Sequence, residues 1–311
     1  MSSLLKRIGS AVLGGSMGPQ VDEDQIPPCD LLVEDACSSC PAPCDDHEKY
    51  PSYLNFDMTS PLLGSTKPYG RHILIATGKS DWTSHIDEEK GSLAAALSEI
   101  LDKERQKLGW RCVITNTSMI NQYTTLSDGY DVIVLPDNII VSNVSPDRAQ
   151  DFFDTYINKP LPNLNEESNA KSGENGNAAA ANGHSSEEMK AQKNPYDNLI
   201  LICSHKKRDK RCGVTAPILG AEFDNVLREK DLTEDQCAVF MVSHIGGHKF
   251  AGNVICYINQ GKTGVWYGRV NSCHCRAIIE ETIEQGKIIK ELYRGAMTHS
   301  FEGSKAERLR W

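Results

Sequence analysis

The sequence predicts an α/β protein whose two halves repeat one order of elements. Short apolar runs at 72–82 ("HILIATGKSDW") and 198–209 ("NLILICSHKKRD") each end in a polar loop, and a helical pattern follows each of them. Another strand, a hairpin and a last helix complete both halves, so each half has the order β-α-β-β-β-α. Between the halves, residues 160–193 are rich in Asn, Ser, Gly, Ala and Glu and almost without large apolar side chains.

The hydrophobic pattern places the remaining elements of each half. The helix, the second strand and the hairpin with its helix are predicted at 91–109, 112–117 and 130–157 in the first half, and at 215–230, 238–244 and 252–286 in the second half. A helix that crosses between the first two strands, with a hairpin before the last helix, is the thioredoxin-like arrangement. We therefore expect a tandem of two thioredoxin-like domains, with a single larger α/β sheet as the alternative.

Changes in composition along the chain predict the domain boundaries. The predicted parts are a loosely structured N-terminal segment, a first domain, a disordered linker, a second domain and a C-terminal tail, at 1–68, 69–159, 160–194, 195–297 and 298–311.

Composition limits the class of function. A net charge of -9 and a pI near 5.5 argue against a general nucleic-acid binder. Since the chain lacks a run of about eighteen apolar residues, we expect no membrane span. The N-terminal stretch carries Lys6 and Arg7 and no acid before Asp22, which faintly resembles a mitochondrial presequence, and it lacks a secretory cleavage pattern. We expect a cytosolic protein, with mitochondrial import as the alternative. The 11 cysteines, an odd number, do not resemble a disulfide framework.

Two cysteines and two histidines in the second half form the strongest candidate site. Cys203 ends the first strand, Cys212 is predicted in the loop before the helix, and His244 and His248 follow the second strand. A single cysteine is more often a buried apolar residue than a ligand. Here, however, the two loops are expected to converge at one end of a thioredoxin-like sheet. The first half has Ala76 in place of Cys203 and lacks the other ligands as well.

The residue types leave two kinds of metal open. Two thiolates and two imidazoles suit a tetrahedral structural zinc, and they equally suit a 2Fe-2S cluster with both cysteines on one iron and both histidines on the other. Structural zinc sites typically use pairs two to four residues apart, whereas the cysteines here enclose a wider loop of eight residues. The wider loop suits a larger, two-iron group.

The segments "CSHKKRDKRCGVTAP" and "HIGGHKFAGNV", with the hairpin stretch "VWYGRV", resemble the sucrase/ferredoxin-like family, specifically over residues 196–275 and diffusely over the first half. The resemblance implies a thioredoxin-like ferredoxin domain with a 2Fe-2S cluster held by Cys203, Cys212, His244 and His248. It implies one-electron transfer or redox sensing, and the second nitrogen of a ligating imidazole can couple electron uptake to proton uptake. The alternative is a non-redox interaction scaffold with structural zinc on the same four residues.

An electron carrier is a better expectation than a stand-alone enzyme. No G-x-G-x-x-G fingerprint follows either leading strand, so a separate reductase is expected to supply electrons. The C-x-x-C pair of a thioredoxin-type thiol oxidoreductase is also missing near the start of the helix.

Residues around the four ligands have predicted supporting roles. Positive charge between the cysteines would lower thiolate pKa and attract an acidic redox partner; these residues are Lys206, Lys207, Arg208, Lys210 and Arg211. Gly246 and Gly247 are expected to permit a tight turn between the histidines. Asn253 is a candidate hydrogen-bonding partner of the ligands.

Further cysteines and the C-terminus supply weaker candidates. The cysteines Cys29, Cys37, Cys40 and Cys44 have metal-like spacing, but no second motif follows nearby. Cys273, His274 and Cys275 lie at the start of the last helix, whereas Cys112, Cys237 and Cys256 are predicted core thiols. The end of the chain, Leu309, Arg310 and Trp311, resembles the C-terminal signal of clients of the cytosolic iron-sulfur assembly machinery, although Arg310 departs from that signal.

Overall fold

The computed structural model of the chain describes residues 25–36, 47–162 and 187–301. The strands are β1 (Leu32–Val33), β2 (Arg71–Ala76), β3 (Cys112–Thr117), β4 (Tyr130–Leu135), β5 (Ile139–Val144), β6 (Lys190–Lys193), β7 (Leu199–Cys203), β8 (Ala238–Val242), β9 (Val254–Ile258), β10 (Thr263–Tyr267), β11 (Ile288–Ile289) and β12 (Tyr293–Ala296). The helices are α1 (Leu93–Leu108), α2 (Ala149–Phe152), α3 (Lys210–Glu229) and α4 (Ser272–Ala277); π-helical turns at Phe153–Ile157 and Ile278–Glu284 extend α2 and α4.

Ten of the strands form one mixed sheet in the order β12-β10-β9-β7-β8-β3-β2-β4-β5-β6. In each half the first long strand pairs parallel with the strand that follows the helix and antiparallel with the hairpin. This mixed α/β architecture is compatible with a thioredoxin-like fold. The halves join where Thr117 pairs with Val242, and the Ser243 N–H donates to the Asn116 carbonyl at 2.9 Å.

Alternation along the central strands separates three apolar clusters. Ile73 and Ile75 face α1 and α2, and Ile200 and Ile202 face α3 and α4. The intervening side chains, such as Leu201, belong to a third cluster that takes residues from both halves. Since strand side chains alternate between faces, the helices of each half cover one face of the sheet, the outer face. The sheet is bent between the halves, so that the opposite, inner face of one half packs against that of the other.

A buried polar chain crosses this inner layer. The hydroxyls of Tyr69 and Tyr257 lie 2.7 Å apart, the Trp266 indole donates to Tyr69 at 2.8 Å, and Nδ1 of His72 lies 2.7 Å from the Tyr257 hydroxyl. Burial lowers the pKa of His72 to about 3, so the imidazole is neutral. Two halves that share such a network are expected to unfold together.

Local capping sets the ends of the two long helices. The Ser92 hydroxyl accepts the Ala95 N–H at 3.1 Å, and Gly109 ends α1 in the left-handed conformation. The Asp209 carboxylate accepts the Arg211 N–H at 2.9 Å and begins α3. The helix therefore starts at Lys210, before the predicted residue 215. This corrects the predicted loop position of Cys212, which lies in the first turn of α3.

Two predicted irregular segments contain ordered parts. Residues 190–193, expected in the linker, form β6 and pair with β5 at the edge of the sheet. In the segment expected to be loose, Leu62 and Leu63 are buried and the Gln25 carbonyl accepts the Tyr293 hydroxyl at 2.6 Å. Isolated apolar residues gave no period from which this packing could be predicted. Among the described residues, no helix is long and apolar enough to cross a membrane.

Tyr257→Phe tests the inner layer. The change removes a hydroxyl shared by Tyr69 and His72, so we expect the free energy of unfolding to fall by about 1–3 kcal/mol while the thermal transition stays single. Calorimetry checks both. Separate transitions for the two halves would contradict the shared inner layer.

Candidate metal centre

The parallel pairing of β7 with β8 gathers the four predicted ligands at one edge of the sheet. Cys203 is the last residue of β7, and Cys212 lies in the first turn of the helix that follows. His244 comes two residues after β8, and His248 begins a 3-10 turn, His248–Phe250. Since parallel strands end on the same side, the two loops after β7 and β8 meet there.

The two cysteines form a buried, hydrogen-bonded pair. Each is 1% exposed. Their mutual hydrogen bond lowers the pKa of the Cys203 thiol and raises that of Cys212, and the His244 imidazole lowers the Cys203 value further. The first proton therefore leaves this pair easily, and the second is held between the sulfurs. A readily formed thiolate is the state that binds metal.

The two imidazoles lie against each other beside the thiols. Nδ1 of His248 is 3.5 Å from Nε2 of His244, and the ring centroids are 5.2 Å apart. Nδ1 of His244 is buried and has no hydrogen-bond partner among the described residues. A buried nitrogen without a hydrogen-bond partner destabilises a protein core. Binding to a metal would give Nδ1 of His244 a partner.

The outer nitrogen of His248 faces a carboxylate. Nε2 lies 4.0 Å from Oδ2 of Asp209, which also receives a two-point ion pair from Arg211 at 2.8 and 2.9 Å. Burial lowers the pKa of His248. Asp209 thus caps α3 and places a carboxylate within ion-pair distance of His248.

The donor set fits a metal group of two thiolates and two neutral imidazoles. Within the described ranges, no three His, Cys, Asp or Glu side chains surround one point as ligands of a single ion would. The donors form a cysteine pair and a histidine pair, joined by the contact between Cys203 and His244.

The turn between the histidines is held from behind. Gly246 and Gly247 have φ values of +84 and +70, as their predicted role in a tight turn requires. A Cβ on Gly247 would lie 2.2 Å from Nη2 of Arg294, so a side chain is also excluded there. The side-chain amide of Asn253 donates to the Gly247 carbonyl at 3.0 Å, and the backbone carbonyl of Asn253 accepts the Cys203 N–H at 3.0 Å. Asn253 thus joins the two ligand loops.

A loop of the first half grips the cysteine loop. His205 is buried; its Nε2–H donates to the Thr83 carbonyl at 2.8 Å and its Nδ1 accepts the His244 N–H at 3.0 Å. The Ser204 hydroxyl donates to the Ser80 carbonyl at 2.6 Å. The first half therefore contributes no predicted ligand but fixes the backbone of both ligand loops.

The predicted basic loop lies on the surface. Lys206, Lys207, Arg208 and Lys210 are exposed, and Arg211 is partly buried in its ion pair. His248 has a side chain 45% exposed beside them, whereas the cysteines are covered. The His248 imidazole is therefore more exposed than the two predicted thiol ligands.

The weaker candidates have structural positions where they are described. Cys29 is exposed. Nδ1 of His274 accepts the Asn271 N–H at 3.2 Å in the cap of α4, and Cys275 lies on the buried face of that helix. Cys237 and Cys256 are buried and Cys112 is partly buried. Cys37, Cys40, Cys44 and Trp311 lie outside the described residues.

Sequence reasoning missed His205 and Arg294. His205 lies within the basic loop, where its contact with the first half depends on a fold across 122 residues. Arg294 lies in β12, a short strand without a pattern that could predict it. Neither position carries a local signal.

His205→Ala tests the grip of the first half. The variant leaves the His244 N–H and the Thr83 carbonyl without their buried partner, and we expect the free energy of unfolding to fall by about 2–4 kcal/mol. Denaturant titration measures the loss. Lys90→Ala, at an exposed residue of the same loop, is the control and should change stability by less than about 0.5 kcal/mol. Equal effects would mean that His205 has no anchoring role.

Comparison with known proteins agrees with the resemblance in the ligand segments. The chain is 33% identical over 276 residues to altered inheritance of mitochondria protein 32 of Clavispora lusitaniae, covering 88% of this chain and 94% of the relative. It is 28% identical over 273 residues to actin patches distal protein 1 of Saccharomyces cerevisiae, covering 82% of each. No solved structure gives a significant match. The sucrase/ferredoxin-like family model matches residues 62–295, and the chain belongs to that family.

Proposed function

We propose that the protein is an electron carrier or redox sensor with a 2Fe-2S cluster on Cys203, Cys212, His244 and His248. The observation that carries the proposal is the meeting of a buried thiol pair and an imidazole pair at one sheet edge. When bound, such a cluster accepts and returns one electron. Membership of a ferredoxin-like family supports this chemistry.

The domain division belongs to the same proposal. Residues 69–159 and 195–297 are two thioredoxin-like domains in tandem, and the second holds the cluster. The repeated strand order supports this division. The first domain keeps the frame without ligands: Ala76 pairs with Thr117 as Cys203 pairs with Val242, and Met119 follows Ser118 as His244 follows Ser243.

Electrons are proposed to enter and leave through the His248 edge. Its imidazole is 45% exposed, while the thiols are buried beneath the sheet edge. Nearby cations on Lys207 and Arg208 favour an acidic redox partner, a reductase being the expected donor. Above the oxidised-state pKa of an imidazole ligand, proton uptake accompanies the electron in this proposal; below it the imidazoles are already neutral and the electron is taken up alone.

We propose a cytosolic setting for the protein. The acidic composition is compatible with the cytosol, and the alternative is the mitochondrion, to which the names of several relatives refer. Contact with the cytosolic iron-sulfur assembly machinery through Trp311 remains a proposal. Fractionation of cells that express the full chain, with and without a Trp311→Ala change, tests both.

Anaerobic purification is the direct test of the cluster. We expect a coloured protein with two irons and two acid-labile sulfides per chain, whose visible absorption bleaches on reduction with dithionite. Absorption spectroscopy and metal analysis measure this. A colourless protein with one zinc per chain would overturn the redox proposal and favour the interaction scaffold.

The ligand assignment has its own test. His244→Cys with His248→Cys replaces both imidazoles by thiolates, so the visible spectrum should shift and the reduction potential should fall towards that of plant-type ferredoxins. Cys237→Ala is the control, because that buried thiol lies away from the centre. A double variant with the wild-type spectrum would contradict ligation by histidine.

Charge reversal tests the docking face. Lys207→Glu with Arg208→Glu should slow reduction by an acidic donor protein about tenfold or more at low ionic strength, with the difference shrinking in salt. Lys103→Glu, on the exposed side of α1, is the control and leaves the rate near that of wild type. Stopped-flow absorption measures the rates. Equal losses for both changes would exclude a local docking face.

A further inference from the structure

Arg294 is a buried guanidinium whose acceptors are all neutral. It is 1% exposed. Nε donates to the Ser65 hydroxyl at 3.0 Å and Nη2 to the Ser65 carbonyl at 3.3 Å, while Nη1 donates to the Gly246 carbonyl at 3.3 Å and to Oδ1 of Asn253 at 2.8 Å. The rings of Phe250 and Trp266 lie 5.5 and 5.8 Å from its central carbon.

Arg71 is also fully buried, and it shows the usual pairing of a buried arginine with a carboxylate. Arg71 has a two-point ion pair with Asp137, at 2.6 and 3.0 Å. No carboxylate of the described residues lies within ion-pair distance of Arg294. A buried charge without a counter-charge costs several kcal/mol. The ion pairs of the described residues therefore do not account for a buried positive charge at this position.

The two cysteines of the candidate metal centre are the groups near this charge that become anionic. Burial lowers the pKa of Arg294 to about 10, and the Cys203 and Cys212 thiols raise it, so the guanidinium stays charged at neutral pH. Its hydrogen bonds reach the turn between the two histidines through Gly246 and Asn253. Arg294 thus hydrogen-bonds to the turn between the two histidines and interacts electrostatically with the two cysteines.

The charge of the proposed cluster gives Arg294 a defined electrostatic effect. With two thiolates and two neutral imidazoles, the charges of ferric irons, sulfides and thiolates cancel in the oxidised state. One electron from a donor then leaves a single net negative charge, with no bond formed or broken within Arg294. A fixed cation in a buried site favours that state, since its field is weakly screened there.

We propose that Arg294 is a positioning residue of the metal centre that holds the histidine turn and raises the reduction potential by supplying the counter-charge of the reduced state. This inference rests on the proposed function, because it requires the cluster. It assigns the charge effect to a buried residue of β12 and not to the exposed basic loop, whose field is screened by water.

Removing the charge is the first test. Arg294→Met should lower the equilibrium constant for one-electron reduction about tenfold, which is ~59 mV, and Arg294→Lys should restore most of the loss. Lys249→Met is the matched control: its ammonium lies over the same Phe250 ring, but its side chain is 49% exposed and paired with Asp57. It should shift the constant by less than about twofold. Dithionite titration followed by absorption and electron paramagnetic resonance measures each potential.

A second pair of variants leaves Arg294 in place. Ser65→Asp puts a carboxylate where the hydroxyl now accepts from Nε, so the guanidinium gains a counter-charge and the potential should fall by a similar amount. Ser65→Asn has nearly the same shape without the charge and should keep the wild-type potential. If the Arg294 variants do not retain a cluster, the difference between these two decides the question.

The outcomes separate the inference from the proposed function. A wild-type protein without an iron-sulfur cluster overturns the proposed function. A wild-type protein with a cluster, whose potential is the same in Arg294→Met and unchanged between the two Ser65 variants, overturns the role of Arg294 alone. A fall in potential for Arg294→Met and Ser65→Asp, without one for Lys249→Met and Ser65→Asn, supports it.

Discussion

Packing of the inner faces of the bent sheet against each other is the constraint on which the rest of the structure depends. Strand alternation sends Leu74, Leu201 and Cys203 into this layer. The helices are thereby confined to the outer faces. The last residues of β3 and β8 pair with each other, so the loops that follow these two strands come into contact. The candidate metal centre lies at that junction.

Contact between the loops gives the ligand-free half a structural part in the site. The His205 imidazole can accept from the His244 N–H only as the tautomer with a proton on Nε2, and the Thr83 carbonyl of the first half selects that tautomer. The repeat thus has two unequal members. One carries the thiols and imidazoles, and the other supplies backbone acceptors that hold their loops.

The four predicted ligands differ in their exposure to solvent. The cysteines are enclosed where a second thiolate is hard to form without a metal, whereas His248 reaches the surface. Behind them Arg294 places a positive charge that lacks a carboxylate partner among the described residues. Under the proposed function, this fixed cation favours the state of the centre that carries one more electron.

Local pattern was sufficient for the main strands, the long helices and the four candidate ligands, because period and residue type are properties of neighbouring residues. It placed β3 at its observed bounds but began α3 late, since the cap at Asp209 outweighed the weak apolar period of its first turn. The short strands β6 and β12 were missed because their pairing is with distant segments.

By itself the sequence determined the α/β class and the order of elements in each half, and it singled out two cysteines and two histidines as candidate ligands. Only the tertiary structure decided that the halves share a buried layer, that His205 joins the ligand loops to the first half, and that Arg294 is buried behind the histidine turn. The physical reason is that hydrogen bonds and buried charges act through space. Their partners here lie tens to hundreds of residues apart, where no local period records them.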